Sequence, residues 1–204
     1  GDLDYVAGNN VGGSNNNRIY KNSGSGTFTC FEMSTEAEST EGICLGDIDN
    51  DGDLDYIVGN NLERNRVYKN DGTGHFTSFQ TSTELDTTWS VALGDIDNDG
   101  DLDYIAGNGG NEGDAVNRIY VNSGSGSFSL YSSSTESEPT WSVAFGDIDN
   151  DGDLDYIAGN RNRPNRVYTA SGVTGNSSPS APASGFSSSY ASSTLTLNWG
   201  DGVD

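Results

Sequence analysis

Three identical strings of eleven residues carry fifteen aspartates, at a spacing suited to holding a metal ion. Gly-Asp-Ile-Asp-Asn-Asp-Gly-Asp-Leu-Asp-Tyr runs from Gly46 to Tyr56, from Gly94 to Tyr104 and from Gly146 to Tyr156. The carboxylates are Asp47, Asp49, Asp51, Asp53 and Asp55 in the first string. Asp95, Asp97, Asp99, Asp101 and Asp103 follow in the second, and Asp147, Asp149, Asp151, Asp153 and Asp155 in the third. The chain opens with Gly1-Asp2-Leu3-Asp4-Tyr5, the second half of the same string, so Asp2 and Asp4 belong to a truncated fourth site. Carboxylates this close repel one another unless a cation neutralises them.

The pattern D-x-D-x-D-G-x-x-D suits Ca²⁺, which takes six to eight oxygen ligands at about 2.3–2.6 Å. The first three aspartates point inward from alternate positions, and the glycine permits the sharp turn. Asp53, Asp101 and Asp153 are expected to offer backbone carbonyls, and Asp55, Asp103 and Asp155 to close the shell with their side chains. Three complete Ca²⁺ sites and one truncated site are expected. Mg²⁺ prefers a few carboxylates plus water to a full protein cage. An EF-hand shares D-x-D-x-D-G but needs a Glu at the twelfth position and flanking helices. Here the twelfth positions are Val58, Ala106 and Ala158, and the flanks read as strands.

Those flanks repeat with the loops. The loop glycine falls at Gly1, Gly52, Gly100 and Gly152, at intervals of 51, 48 and 52 residues. Asn-Arg-(Ile/Val)-Tyr begins at Asn17, Asn65, Asn117 and Asn165. The turn Asn-(Ser/Asp)-Gly-(Ser/Thr)-Gly begins at Asn22, Asn70 and Asn122 and leads to Phe28, Phe76 and Phe128. Each unit predicts four short strands: one before the acidic loop, one directly after it, the Arg-(Ile/Val)-Tyr segment, and one starting at the phenylalanine. No segment carries an apolar period of 3.6, so almost no helix is expected.

From loop glycine to the next Asn-Arg the distance is 16, 13, 17 and 13 residues; from that asparagine to the next loop glycine it is 35 each time. Insertions therefore fall only between the second and third strands. A four-stranded unit with a period of 48–52 and one tolerant loop predicts an all-β fold of antiparallel β-propeller blades, with about three and a half repeats. The units are expected at about 1–41, 42–89, 90–141 and 142–170, with a Ser/Gly/Pro-rich linker at 171–184.

The chain has 31 acidic and 9 basic residues among 204, a formal charge of -22. Such a surface excludes nucleic-acid backbones and anionic membranes as partners. No apolar run approaches membrane-spanning length, so no membrane insertion is expected. All nine cations lie in or beside the third strands. Arg18, Arg66, Arg118 and Arg166 hold one place in every unit, and architectural pairing with a neighbouring carboxylate or carbonyl is the expectation. Cys44 sits where the other units place Ala92 and Ala144, which suits a packed free thiol; a bridge to Cys30 is the less favoured reading. His75 falls in a hairpin turn, and Trp89 and Trp141 begin first strands. No nucleophile–base pair emerges, so the chain is not expected to be an enzyme.

The string D-x-D-x-D-G-x-x-D between two strands, on a period near 50, resembles the FG-GAP/VCBS-type repeat over roughly residues 1–170. Related repeats form the Ca²⁺-bearing blades of integrin α-subunit propellers. The literal Phe-Gly stands only at Phe145-Gly146; the other copies read Leu45-Gly46 and Leu93-Gly94, and no Gly-Ala-Pro follows. The resemblance implies seven-bladed propellers, Ca²⁺ in hairpin loops, and secreted or cell-surface proteins. Farther on, a Pro-containing entry followed by Leu195-x-Leu197-x-Trp199 resembles the start of a fibronectin type III domain at 185–204. Together these predict an extracellular calcium-binding module of a longer chain. It would serve adhesion or a surface stalk or fibre, through a protein or glycan ligand or self-association; a lectin-like or polysaccharide-degrading propeller is the alternative.

Overall fold

The computed structural model describes residues 2–10, 16–110, 115–170 and 187–189. Among them there is no α-helix, and so none long and apolar enough to cross a membrane. Fifteen strands form four antiparallel sheets. The first sheet is β1 (Tyr5–Ala7), β2 (Arg18–Asn22) and β3 (Phe28–Met33). The second is β4 (Thr40–Gly46), β5 (Asp55–Asn60), β6 (Arg66–Asn70) and β7 (Phe76–Gln80). The third is β8 (Thr87–Gly94), β9 (Asp103–Gly109), β10 (Arg118–Asn122) and β11 (Phe128–Ser133). The fourth is β12 (Thr140–Gly146), β13 (Asp155–Asn160), β14 (Arg166–Thr169) and β15 (Ser187–Ser189). Each sheet runs in chain order, as consecutive strands of a propeller blade do.

Alternation along the second strand explains why the blades stack. Successive side chains of a strand point to opposite faces. Tyr56 and Val58 of β5 pack back onto Ile19 of the first blade, whereas Ile57 packs forward against Tyr104 and Ala106 of the third. Ile105 in turn faces Tyr156 and Ala158 of the fourth. The core is thus a series of interblade layers. Burying each isoleucine or valine of these layers is worth about 1.5–3 kcal/mol. Within each blade the second- and third-strand tyrosines stack, with centroids 4.5 Å apart at Tyr56–Tyr68, 4.6 Å at Tyr104–Tyr120 and 4.3 Å at Tyr156–Tyr168.

The asparagines that mark the repeat are structural. Asn70 Oδ1 accepts from the amides of Gly72 and Gly74, which sit at φ +79° and +91° and so need glycine. Asn65, Asn117 and Asn165 accept from the amides of Asn60, Asn108 and Asn160.

Two boundaries differ from the sequence-based expectation. The first strands start at Thr40, Thr87 and Thr140, three or four residues before the expected Ile43, Val91 and Val143, and each carries a bulge, after Thr40, Thr88 and Thr140. Trp141 stands at the bulge of β12 and is 60 % exposed, while Trp89, at the same place in β8, meets it edge-on at 6.0 Å. Ser187–Ser189 pairs with Arg166–Thr169 as the fourth strand of the fourth blade, although it lies in the segment expected to begin a separate domain. The rest of that segment and the linker lie outside the described residues. Both thiols are free, Cys30 exposed and Cys44 packed at the edge of an interblade core.

Candidate metal centres

Each acidic loop joins the first two strands of a blade, and its backbone is built to turn the carboxylates inward. Gly52, Gly100 and Gly152 hold φ of +93°, +95° and +93°, and Asn50, Asn98 and Asn150 lie at +61°, +59° and +60°. Asparagine tolerates this left-handed region better than most residues do. Asp47 accepts from the amides of Asp51 (3.1 Å) and Gly52 (3.0 Å), folding the loop over itself. Asp95 and Asp147 repeat these bonds with Asp99 and Gly100, and with Asp151 and Gly152.

The loops bring together Asp47, Asp49 and Asp55; Asp95, Asp97 and Asp99; and Asp147, Asp149 and Asp155. In each group, carboxylate oxygens lie within 4.8 Å of one another. Asp51, Asp151 and Asp103 stand outside these groups. Asp51 and Asp151 accept from the amides of Asp53 and Asp153, as Asp99 does from Asp101. Nor do the side chains of Asp53, Asp101 and Asp153 join a group. Asp101 and Asp153 accept from Asn50 and Asn98 of the preceding loops, which leaves their backbone carbonyls as the groups they can offer. In the truncated copy, Asp4 accepts from the amide of Asn22 (2.8 Å), just as Asp55 accepts from Asn70.

That last bond is a role sequence reasoning missed. Asp55, Asp103 and Asp155 are fully buried, and each clamps two amides, one in its own loop and one at the end of the third strand. For Asp103 these are Ile96 (2.9 Å) and Asn122 (2.8 Å). Its constant distance from Asn122 and its equivalents was the available signal.

Burial pushes the Asp103 carboxyl up to about 7, against the pull of those two amides, with Asp97 and Asp99 adding to the rise. Asp55 is raised by burial first, and so is Asp97, where Asp99 and Asp95 add to it. These groups carry charge at a cost that a cation would remove. Asp49 Oδ1 and Asp97 Oδ1 are sealed from water with no hydrogen-bond partner among the described residues. An all-oxygen donor set with a buried, unsatisfied carboxylate oxygen fits a hard divalent ion. The loops are not equivalent: Lys69 Nζ lies 3.4 Å from Asp49 Oδ2, and Val121 takes the place of Lys69 in the third blade.

The family model described as FG-GAP-like repeat matches the chain three times, over residues 1–58, 47–106 and 101–158. The chain belongs to the FG-GAP-like repeat family. No curated protein matches it. Each of these FG-GAP-like matches contains an acidic string or its truncated form, so the three aspartate groups lie within the family's repeat.

The expected pairing of the repeated arginines also appears in the FG-GAP-like blades. The Nε atoms of Arg66, Arg118 and Arg166 donate to Glu38 (2.8 Å), Asp86 (2.6 Å) and Glu138 (2.6 Å). Their role is architectural, tying the third strand to the connector that enters the blade. His75 lies in a hairpin, its Nδ1 2.6 Å from Glu32 Oε2.

Proposed function

We propose that the chain is a non-enzymatic, calcium-binding β-propeller module that works outside the cell, in adhesion or as a structural part of a surface stalk or fibre. The observation that carries this reading is the buried, unpartnered oxygen of Asp49 and of Asp97, each inside a group of three converging aspartates. Ca²⁺ would be held by Asp47, Asp49 and Asp55, by Asp95, Asp97 and Asp99, and by Asp147, Asp149 and Asp155, with the carbonyls of Asp53, Asp101 and Asp153 completing the shell. The ion would supply positive charge and a fixed geometry, holding two strands of each blade together. Extracellular modules bind Ca²⁺ with dissociation constants of roughly 10⁻⁴–10⁻³ M, which suits millimolar surroundings. The formal charge of -22 supports a protein or glycan ligand, or self-association, over nucleic acid. Titration calorimetry tests the reading: three Ca²⁺ ions per chain are expected, and a chain that binds none sinks it.

One feature favours a lectin-like alternative. Trp141 is largely exposed and the Arg161 guanidinium lies 5.6 Å from its ring centre, a platform on which a sugar could stack. A glycan array with wild type and Trp141→Ala separates the two, since an adhesion or stalk module of the first kind gives no signal that depends on Trp141.

A further inference from the structure

A narrow pocket of about 40 Å³ lies between the first and second blades, and none of the loop aspartates lines it. At roughly 10–15 Å³ for a water-sized group, it has room for about two or three heavy atoms. Tyr56 lines the pocket and is 1 % exposed, yet its hydroxyl has no hydrogen-bond partner among the described residues. At the next interface the hydroxyl of the equivalent Tyr104 lies 3.1 Å from that of Thr81. Thr81 stands five residues after Phe76; Met33 stands five after Phe28 and offers no hydroxyl. A buried hydroxyl left unpaired is costly, so a ligand that pairs with Tyr56 supplies what Met33 does not.

Two carboxylates line the same pocket. Glu36 accepts from Ser78 Oγ (2.5 Å) and from Tyr68 (3.3 Å), and Glu32 accepts from the amide of Phe76 (3.2 Å) and meets His75 Nδ1 at 2.6 Å. Burial opposes the charge of Glu36, but bonds from Ser78, its own amide and Thr35 hold its carboxyl below the usual range. Burial raises the Tyr56 hydroxyl first, and Tyr68, Glu32 and Glu36 add to the rise, so the hydroxyl faces both acids. Arg66 Nη1 stands 3.9 Å from Glu36, while its Nε is committed to Glu38 at 2.8 Å. The charge of Glu36 is therefore only partly offset. Gln80 and Ser132 take the place of Glu32 in the next two blades.

We propose that this pocket binds a primary ammonium group on a slim aliphatic stem, the chemistry of a lysine side chain or a small alkylamine. The ammonium donates to the Tyr56 hydroxyl oxygen and to Glu36, and a charge-assisted bond to a carboxylate is about twice as strong as a neutral one. The rings of Tyr68 and Phe76, 4.5 and 5.0 Å from that of Tyr56, complete an aromatic wall, and aromatic rings beside carboxylates favour a cation over a neutral group. The Tyr56 hydroxyl is sealed from water, so entry requires one side chain to give way. Met33 lines the pocket and is 54 % exposed, and its unbranched chain has the freedom to move aside and then cover the stem. The proposal stands independently of the metal reading.

The test reads the methyl NMR signal of Met33, the one methionine of the chain, which reports this pocket and not the acidic loops. Methylammonium is titrated with Ca²⁺ present and the ionic strength held constant with NaCl. A saturable shift of the Met33 methyl is expected, and methanol at the same concentrations should give none. Nα-acetyl-lysine methylamide is titrated in parallel. A shift with it assigns the pocket to a lysine side chain, and a shift with methylammonium alone assigns it to a free amine. Tyr56→Phe, which removes only the oxygen without a partner among the described residues, should weaken binding at least threefold, and Glu36→Gln at least tenfold. No saturable shift with either amine, an equal shift with methanol, or full affinity in either variant overturns the proposal.

Discussion

Asn50 donates its side-chain amide to Asp101 Oδ1 across 2.6 Å, linking the acidic loop of one blade to that of the next. Asn98 and Asp153 repeat the contact at 3.4 Å. The donor stands between two aspartates of its own loop, and the acceptor is the residue expected to offer its carbonyl to the next ion. Ordering either loop therefore favours the other. Ca²⁺ binding is expected to be positively cooperative. Asn50→Ala should flatten the calorimetric isotherm and weaken binding about two- to tenfold, the worth of one hydrogen bond of roughly 0.5–1.5 kcal/mol. An isotherm of unchanged shape and midpoint would remove the coupling.

Asp97 and Asp103 should separate metal binding from folding. Asp97 Oδ1 has no hydrogen-bond partner among the described residues, so Asp97→Asn should lose one ion of stoichiometry with little change in the melting temperature under chelator. Asp103→Ala frees two amides, Ile96 and Asn122, at about 1–3 kcal/mol each. It should therefore lower the melting temperature with and without Ca²⁺. Equal effects of both substitutions under chelator would refute the distinction.

Removing Ca²⁺ should destabilise the wild-type chain. An ion that binds only the folded state contributes about 2.7 kcal/mol at a hundredfold excess over its dissociation constant. Chelator should lower the melting temperature and open the acidic loops to proteolysis, and Ca²⁺ should restore both. A melting curve that chelator leaves in place contradicts a structural role for the ion.

Lys69 should lower the affinity of the loop beside it. Its Nζ competes for Asp49 at 3.4 Å in a partly exposed setting, where such pairs are worth roughly 0.2–1 kcal/mol. Lys69→Val, which copies Val121, should strengthen the weakest of the three Ca²⁺ sites a few-fold. Unchanged or weaker affinity would show that the lysine does not tune the site.

High pH should unfold the blades through their tyrosines. Burial, the largest cause, raises the hydroxyls of Tyr56, Tyr68, Tyr104, Tyr120, Tyr156 and Tyr168 well above the usual 10. A folded-state pKa above the unfolded one gives stability that is full below about pH 10 and lost as the pH rises toward the folded-state values. Tyrosinate absorbance and loss of the strand circular-dichroism signal should then appear in one cooperative step. Smooth ionisation of these tyrosines near pH 10 with the sheets intact would argue against it.

The sequence by itself determined the blade plan. Strand alternation, the glycine of each acidic loop and the Asn-x-Gly-x-Gly turns act through neighbouring residues, so their consequences are local and readable. The tight aspartate spacing likewise made a cation the simplest reading of the loops. Phe186, one residue before the pairing strand Ser187–Ser189 as Phe28 is before Thr29, was a legible mark of the fourth blade's last strand. The Asn-x-Gly-x-Gly motif does not precede it; the sequence at 171–184 is rich in Ser, Gly and Pro instead, which hid the repeat. What only the tertiary structure decided are relations between blades and across strands. The clamp of Asp103 on Asn122, the bond from Asn50 to Asp101 and the lysine beside Asp49 join residues 19, 51 and 20 positions apart. Arg18 Nε, sealed from water with no hydrogen-bond partner among the described residues, belongs with them. A repeat assigns all four arginines the same place, but hydrogen bonding and burial depend on which neighbour is there, and that is settled only when the blades are packed together.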